Sequence, residues 1–438
     1  MKIADYLSGI SDCPCGKDHR IDINTIEVAS GSLTKIADLI RQDGFTKPFI
    51  IADCNTHKVA GERLLELLAE AEINFSSYVF ADQELIPDEM ALGKLGMNYD
   101  PTCDLVIAVG SGTLNDLSRF FSHRLGLPYY IVATAPSMDG YASSGAALIR
   151  NNLKTTFECQ MPRAIIADLD VIRTAPKEMI AAGFGDVIGK YTCLADWKLS
   201  AIINGEYYCD QVVEMTRKSL ERTVSLQEGI AQGDPEAIGG LMEALLMAGI
   251  GMSYVGNSRP ASGSEHHLSH FWEMRFQAEG KKAIFHGTKV GIATVLMARL
   301  YQFLSEEEFD EKSIASRTAP YMENWESGIR EAFLAAAPGV FQLEEETQKN
   351  SLSAREERIK VIATKWPQIR EVLDEVPAPE QVIGLIRGAG GAVNSAEVGI
   401  NAELVRQGVL YAKEVRPRYT MLQLLWDLDL LAEYATRV

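Results

Sequence analysis

Leu105-Val106-Ile107-Ala108-Val109-Gly110-Ser111-Gly112-Thr113-Leu114 is the stretch on which the fold turns. Its unbroken apolar run, rich in β-branched residues, reads as a strand buried on both faces, the signature of a parallel sheet. The run breaks into Gly110-Ser111-Gly112, and 114–125 then reads as a helix. A strand, a glycine turn and a helix can cradle a phosphate. Glycines admit the backbone closely, and the helix N-terminus offers N–H groups and positive potential. The spacing is not G-x-G-x-x-G, so a plain tight turn stays open as the alternative.

Working outward, Pro48-Phe49-Ile50-Ile51-Ala52-Asp53 reads as a second buried strand, ending on an acid. A helix over 57–73 follows, with Ala60, Leu64, Leu65, Leu68 and Ala71 near one face. Tyr78-Val79-Phe80 and Tyr129-Tyr130-Ile131-Val132-Ala133 are further strands. Alternating strands and helices predict a doubly wound parallel sheet. Short β-like runs at 147–149, 155–157 and 164–167 predict a hairpin, turning at 150–154, and a return strand. Pro176 suits a helix start, and from there to Val438 the chain reads almost wholly helical. One long helical stretch is expected over 179–203, interrupted near Gly183-Phe184-Gly185. The expectation is therefore two domains, an α/β domain over 1–175 with the features of a dinucleotide-binding unit and a helical domain over 176–438.

Composition narrows the function. The 438 residues are 47% hydrophobic, enough for two cores. A net charge of −18 with no basic stripe argues against nucleic acid. No apolar run is expected to reach the roughly 20 residues that span a bilayer, and the N-terminus lacks a signal-peptide pattern. Scattered cysteines suit a reducing cytoplasm. Cys13-Pro14-Cys15-Gly16-Lys17-Asp18-His19 is the exception, two thiols and an imidazole that could hold zinc or form a mere turn.

Four of the seven histidines fall at 266–286, in Gly263-Ser264-Glu265-His266-His267-Leu268-Ser269-His270 and Phe285-His286-Gly287-Thr288-Lys289. His266 and His270 are spaced i, i+4 and share a helix face. Asp186, in Gly183-Phe184-Gly185-Asp186, is costly to bury unless paired or bound to metal. With His266 and His286 it makes a two-histidine, one-carboxylate set that leaves positions open for substrate; Asp196 is the rival acid. After the strand 129–133, Thr134-Ala135-Pro136-Ser137-Met138-Asp139-Gly140 through Ser143 lies where open parallel sheets bind ligands. Thr134, Ser137 and Ser143 could contact dinucleotide, and Asp139 could accept bonds from substrate hydroxyls; an ordinary loop is the alternative. Asp53 could hydrogen-bond an adenosine ribose or simply cap a helix. Arg259 in Ser258-Arg259-Pro260 could bind a substrate phosphate or brace its loop on a carboxylate.

Gly256-Asn257-Ser258-Arg259-Pro260-Ala261-Ser262-Gly263-Ser264-Glu265-His266 and Thr134-Ala135-Pro136-Ser137-Met138-Asp139-Gly140 resemble the sn-glycerol-1-phosphate dehydrogenases of bacterial type. These lie within the glycerol dehydrogenase, iron-type alcohol dehydrogenase and dehydroquinate synthase-like group. The resemblance runs from about Asp53 to the helix start at 418–422. It implies a Rossmann-like N-terminal domain, an all-α C-terminal domain, and interconversion of dihydroxyacetone phosphate with sn-glycerol 1-phosphate. It implies Asp186, His266 and His286 as ligands of Zn2+ or Ni2+, and Asp139 and His270 at the substrate. It implies Gly110, Ser111, Gly112, Thr113, Leu114, Thr134, Ala135, Pro136, Ser137 and Ser143 at NAD(H) or NADP(H), and a homodimer. His267, beside His266, departs from the family pattern. The rival readings are a polyol dehydrogenase for an unphosphorylated substrate and a non-catalytic nucleotide- and metal-binding regulator.

Overall fold

A computed structural model describes residues 3–150, 153–318 and 324–438. Eight strands are present among them: β1 (Thr25–Ala29), β2 (Pro48–Asp53), β3 (Ser76–Phe80), β4 (Leu105–Gly110), β5 (Tyr129–Ala133), β6 (Gly145–Arg150), β7 (Leu153–Glu158) and β8 (Ala164–Asp168). Six form one sheet in the order β1-β8-β5-β4-β2-β3, and every pairing in it is parallel. β4, β5 and β8 are buried along their whole length, which is why their sequences are continuous apolar runs rather than alternating ones. β6 and β7 form the expected antiparallel hairpin. The turn residues 151–152 lie outside the described residues. β1 was not expected. It is a half-buried edge strand, so it lacks the apolar run that marks its neighbours.

The chain divides into two compact units at points other than residue 175. The first comprises Met1–Val187 and Met215–Asn257, the second Ile188–Glu214 and Ser258–Val438. Helix Pro235–Val255 accounts for much of the difference, because it packs on helix Leu169–Ile172 and on β1. Contrary to the sequence expectation, that helix is long and apolar enough to cross a membrane by length and composition; 83% of its most apolar window is buried inside the protein. Gly239 and Gly249 let it approach Leu169 and Ala142.

The second unit is helical throughout its described residues. Phe271 and Trp272 of helix Ser264–Ala278, Ile292 and Leu300 of helix His286–Ser305, and Ile362 and Ile369 of helix Leu352–Asp374 share its core. An α/β Rossmann-like region followed by a helical region is the architecture the alternation of patterns anticipated.

The break expected near Gly183 is displaced. Helix Lys177–Ile188 runs through Gly183-Phe184-Gly185, and the next helix, Lys190–Asn204, begins after Gly189. Gly183 is there for proximity, not for a bend. A β-carbon at Gly183 would lie 1.8 Å from the Pro136 carbonyl oxygen, a backbone atom that cannot swing aside. Gly183→Ala is therefore expected to lower stability by about 1–3 kcal/mol through overpacking. Gly339→Ala, in a helix where a β-carbon meets nothing within 4 Å, should instead be neutral or add about 0.5–1 kcal/mol. Denaturant midpoints of the two variants check this, and equal midpoints would contradict the close approach.

Candidate active site

The first unit holds the nucleotide-type features. β2 connects to β3 at one side of the sheet and β4 to β5 at the other, so the ends of the adjacent strands β2 and β4 flank the switch point. β4 ends on Gly110, and helix Gly112–Leu125 starts at once, with no side chain capping its first turn. Its first N–H groups are thus free of a side-chain cap, as an anion cradle requires. Leu114 folds back on Gly110, where a β-carbon would sit 2.4 Å from its Cδ1.

The segment 134–145 is tied to that turn. Thr134 N–H donates to the Gly110 carbonyl at 3.1 Å, and Tyr141 Oη to the Ala135 carbonyl at 2.7 Å. Arg119, wholly buried, donates to the carbonyls of Gly140, Tyr141 and Gly145 at 2.7, 2.9 and 2.5 Å. It also reaches Tyr129 Oη at 2.7 Å and Asp116 at 3.1 Å. No sequence signal marks Arg119 for this role, since the carbonyls it collects lie 21 to 26 residues further along the chain. Asp139 and Asp186 are both buried, and Asp139 N–H donates to Asp186 Oδ2 at 3.0 Å. Asp53 takes the capping role. Its Oδ1 accepts from Asn55 and Thr56 N–H, each at 2.8 Å, and Thr56 returns the bond.

The second unit holds the histidines. His266, His267 and His270 lie on helix Ser264–Ala278, and His286 opens helix His286–Ser305. The His266 and His286 rings are 5.1 Å apart, His270 and His286 5.7 Å, and His266 and His270 6.1 Å. His266 Nδ1 bonds Glu265 Oε1 at 2.7 Å. With Nδ1 as donor to the carboxylate, Nε2 keeps its lone pair, the arrangement that presents a histidine to a divalent metal. Glu265 is wholly buried. Burial alone would raise its carboxyl, but His266, the Thr192 hydroxyl at 2.6 Å and Gly263 N–H at 2.7 Å hold it below the usual value. Spacing gives Glu265 no role, because nothing in it shows that this carboxylate folds back to the histidine beside it.

Asp196 is a structural hub. It accepts from Ser264 N–H at 2.6 Å, Met421 N–H at 2.6 Å and Tyr301 Oη at 2.8 Å. Burial, and then the Glu265 carboxylate beside it, push its pKa up to about 6. His267 is wholly buried with neither ring nitrogen partnered, and burial drives its pKa well down, so it is neutral. His270 Nδ1 lies 3.4 Å from Glu273, which also pairs with buried Lys289 at 3.5 Å. His270, Glu273 and His286 thus form a second set of convergent donor atoms, within 4.8 Å of one another.

Arg259 is a correction. It is 2% exposed, and all three guanidinium nitrogens donate within the protein. Nε reaches Glu206 at 2.8 Å, Nη1 the Tyr419 carbonyl at 2.8 Å, and Nη2 both Glu206 at 2.5 Å and Ser200 Oγ at 3.2 Å. This is the bracing alternative, not a phosphate anchor.

Comparison with known proteins gives the family. A family model described as Iron-containing alcohol dehydrogenase matches residues 27–176. The chain is 34% identical over 416 residues to the glycerol-1-phosphate dehydrogenase [NAD(P)+] of Halalkalibacterium halodurans, covering 94% of each chain. It is 35% identical over 427 residues to the enzyme of the same name from Geobacillus thermodenitrificans, covering 95% of this chain and 96% of that one. The chain belongs to the glycerol-1-phosphate dehydrogenase family. Members are oxidoreductases, and NAD(P) with a divalent metal suits both the family and the donor set described above. The fold matches glycerol dehydrogenase from Schizosaccharomyces pombe with a TM-score of 0.62 at 15% identity, covering 95% of this chain and 90% of the other.

The bracing role of Arg259 has a measurable consequence. Arg259→Ala and Glu206→Ala should each cost about 2 kcal/mol or more, because each leaves a desolvated charge behind. Removing both should cost clearly less than the sum. Strictly additive losses in a double-mutant cycle would contradict the pair.

Proposed function

We propose that this protein interconverts dihydroxyacetone phosphate and sn-glycerol 1-phosphate with NAD(H) or NADP(H). The observation that carries the reading is identity of about one third to glycerol-1-phosphate dehydrogenases over nearly the full length of both chains. The proposal takes Asp186, His266 and His286 as ligands of one divalent ion, Zn2+ or Ni2+, whose N/O ligand set suits either metal. In support, Asp186 is wholly buried and Glu265 fixes the tautomer of His266. When bound, the nicotinamide supplies the hydride and the metal a Lewis acid for the carbonyl oxygen.

The chain's own groups do the rest. The turn Gly110, Ser111, Gly112, Thr113 and Leu114 receives the pyrophosphate, with Thr134, Ala135, Pro136, Ser137 and Ser143 along the dinucleotide. Asp53 bonds the ribose with the oxygen that the cap leaves over. Asp139 accepts from a substrate hydroxyl, and its position is set by the bond from its N–H to Asp186. His270 orients the substrate and exchanges a proton through Nε2, while Nδ1 faces Glu273. The resemblance adds a homodimer in the cytoplasm to the proposal.

Alanine at Asp186, His266 or His286 is expected to strip the metal and abolish most turnover, while His267→Ala keeps the metal. Metal content of the purified variants tests this. Retention by Asp186→Ala together with loss in Glu273→Ala would move the site to the second donor set. Side-by-side rates with dihydroxyacetone phosphate and dihydroxyacetone test the substrate. A preference for the phosphorylated ketone is expected, and faster reduction of the free ketone would favour a polyol dehydrogenase.

A further inference from the structure

The N-terminal segment 8–20 has an unusual interior. Among those residues only Cys13 and His19 are buried; Cys15 is half-buried and the rest are half-buried or exposed. A lobe with two buried side chains, one a thiol and one an imidazole, has no apolar core of its own. Small lobes of this kind are held by metals or cross-links. No disulfide joins these cysteines.

The backbone brings the three donors together. Gly16 N–H donates to the Cys13 carbonyl at 2.9 Å, closing a tight turn around Cys15, and Gly16 takes a φ of +81° that favours glycine. Ile10 and His19 then pair through two bonds, 2.9 and 3.0 Å, which return the chain alongside the turn. Gly9, with φ +81°, lies so close to the His19 carbonyl that a β-carbon would sit 2.2 Å from it. Each element of this path directs a ligating atom inward. The sulfurs of Cys13 and Cys15 and a ring nitrogen of His19 lie within 4.8 Å of one another.

The tautomer of His19 is set from behind. Nδ1 lies 2.9 Å from the Tyr254 carbonyl, which can only accept, so Nδ1 carries the proton. Nε2 then presents its lone pair to Cys15 Sγ, 3.3 Å away. In tetrahedral zinc with bonds of 2.3 Å to sulfur and about 2.05 Å to nitrogen, the S–N edge is about 3.6 Å. The observed separation is close to that edge. A carbonyl fixing the far nitrogen of a histidine is the usual partner of a metal-bound imidazole.

We propose that Cys13, Cys15 and His19 bind a structural zinc ion, distinct from the catalytic metal, which pins the N-terminal segment to helix Pro235–Val255 through Tyr254. A closed structural site takes four ligands, and cysteine is the common completion of a Cys-Cys-His set. Among the other cysteines, the thiol of Cys54 points at the Asp82 carbonyl and that of Cys193 at the Pro260 carbonyl. Cys103 lies near Lys47 and Asp100, and Cys159 near Arg119 and Arg124. Cys209, wholly buried, is the remaining thiol to include in the test.

The test uses the full-length protein in a His266→Ala background, so that failure of the catalytic-site reading cannot mimic failure here. Purified protein, dialysed against a weak chelator, is expected to retain about one zinc per chain by elemental analysis. Cys13→Ser, Cys15→Ser and His19→Ala should each lose it, and Cys209→Ser should weaken retention. Cobalt substitution should give intense thiolate-to-cobalt absorption that the Cys15→Ser variant lacks. A measurement without new variants guards against misfolding. In the otherwise wild-type chain, Cys15 should resist a thiol reagent until a strong chelator is added, and its release should coincide with release of zinc. Free reaction of Cys15 before chelation, or equal zinc in the variants and their parent, would overturn the proposal.

Discussion

A carboxylate wholly removed from water, Glu265, is the constraint on which the histidine site depends. Burial of an acid is unfavourable unless donors converge on it. Here His266, the Thr192 hydroxyl and Gly263 N–H do so. The same contacts fix which nitrogen of His266 carries the proton. A second buried acid, Asp196, holds the start of that helix by accepting Ser264 N–H. The two acids leave no room at the residue before the helix. A β-carbon on Gly263 would lie 2.6 Å from Asp196 and 2.7 Å from Cys193 Cα. The motif Gly263-Ser264-Glu265-His266 is thus one device: a glycine for space, an N–H for Asp196, a carboxylate, and the histidine it orients.

The first unit solves a parallel problem with a cation. Segment 134–145 presents carbonyls that a loop would ordinarily give to water. Arg119 collects three of them from beneath, on the helix that the glycine turn begins. The turn and the loop beside it are therefore positioned by one helix. Asp186 adds a hold on the same loop through Asp139 N–H, and Gly183, one turn earlier, permits the contact with Pro136. The glycine turn and the segment that carries Asp139 can then keep a fixed relation through the protein's own contacts.

Legibility in the sequence followed burial and range. The central strands were readable because burial on both faces makes them unbroken apolar runs. β1 was not, since an edge position leaves it half-buried and chemically mixed. The histidine cluster was readable because i, i+4 spacing is local. The partners of Arg119 were not: they lie up to 26 residues away, and no periodicity encodes them. Arg259 shows the limit most clearly. An arginine before a helix start fits an anion site equally well on paper. Only the approach of Glu206, 53 residues earlier, and of Tyr419, 160 residues later, reveals a brace. Gly183 lies where an interruption of the helix is expected, whereas its role is to admit a neighbouring carbonyl.

The central claim is a stereospecific reaction on a phosphorylated three-carbon substrate, and the two enantiomers of the alcohol test it most directly. The metal-loaded protein would be given NAD+ or NADP+ with either sn-glycerol 1-phosphate or sn-glycerol 3-phosphate, and formation of reduced coenzyme followed. The account predicts reduction with sn-glycerol 1-phosphate and essentially none with its enantiomer. Equal rates with both, or a preference for sn-glycerol 3-phosphate, would contradict it.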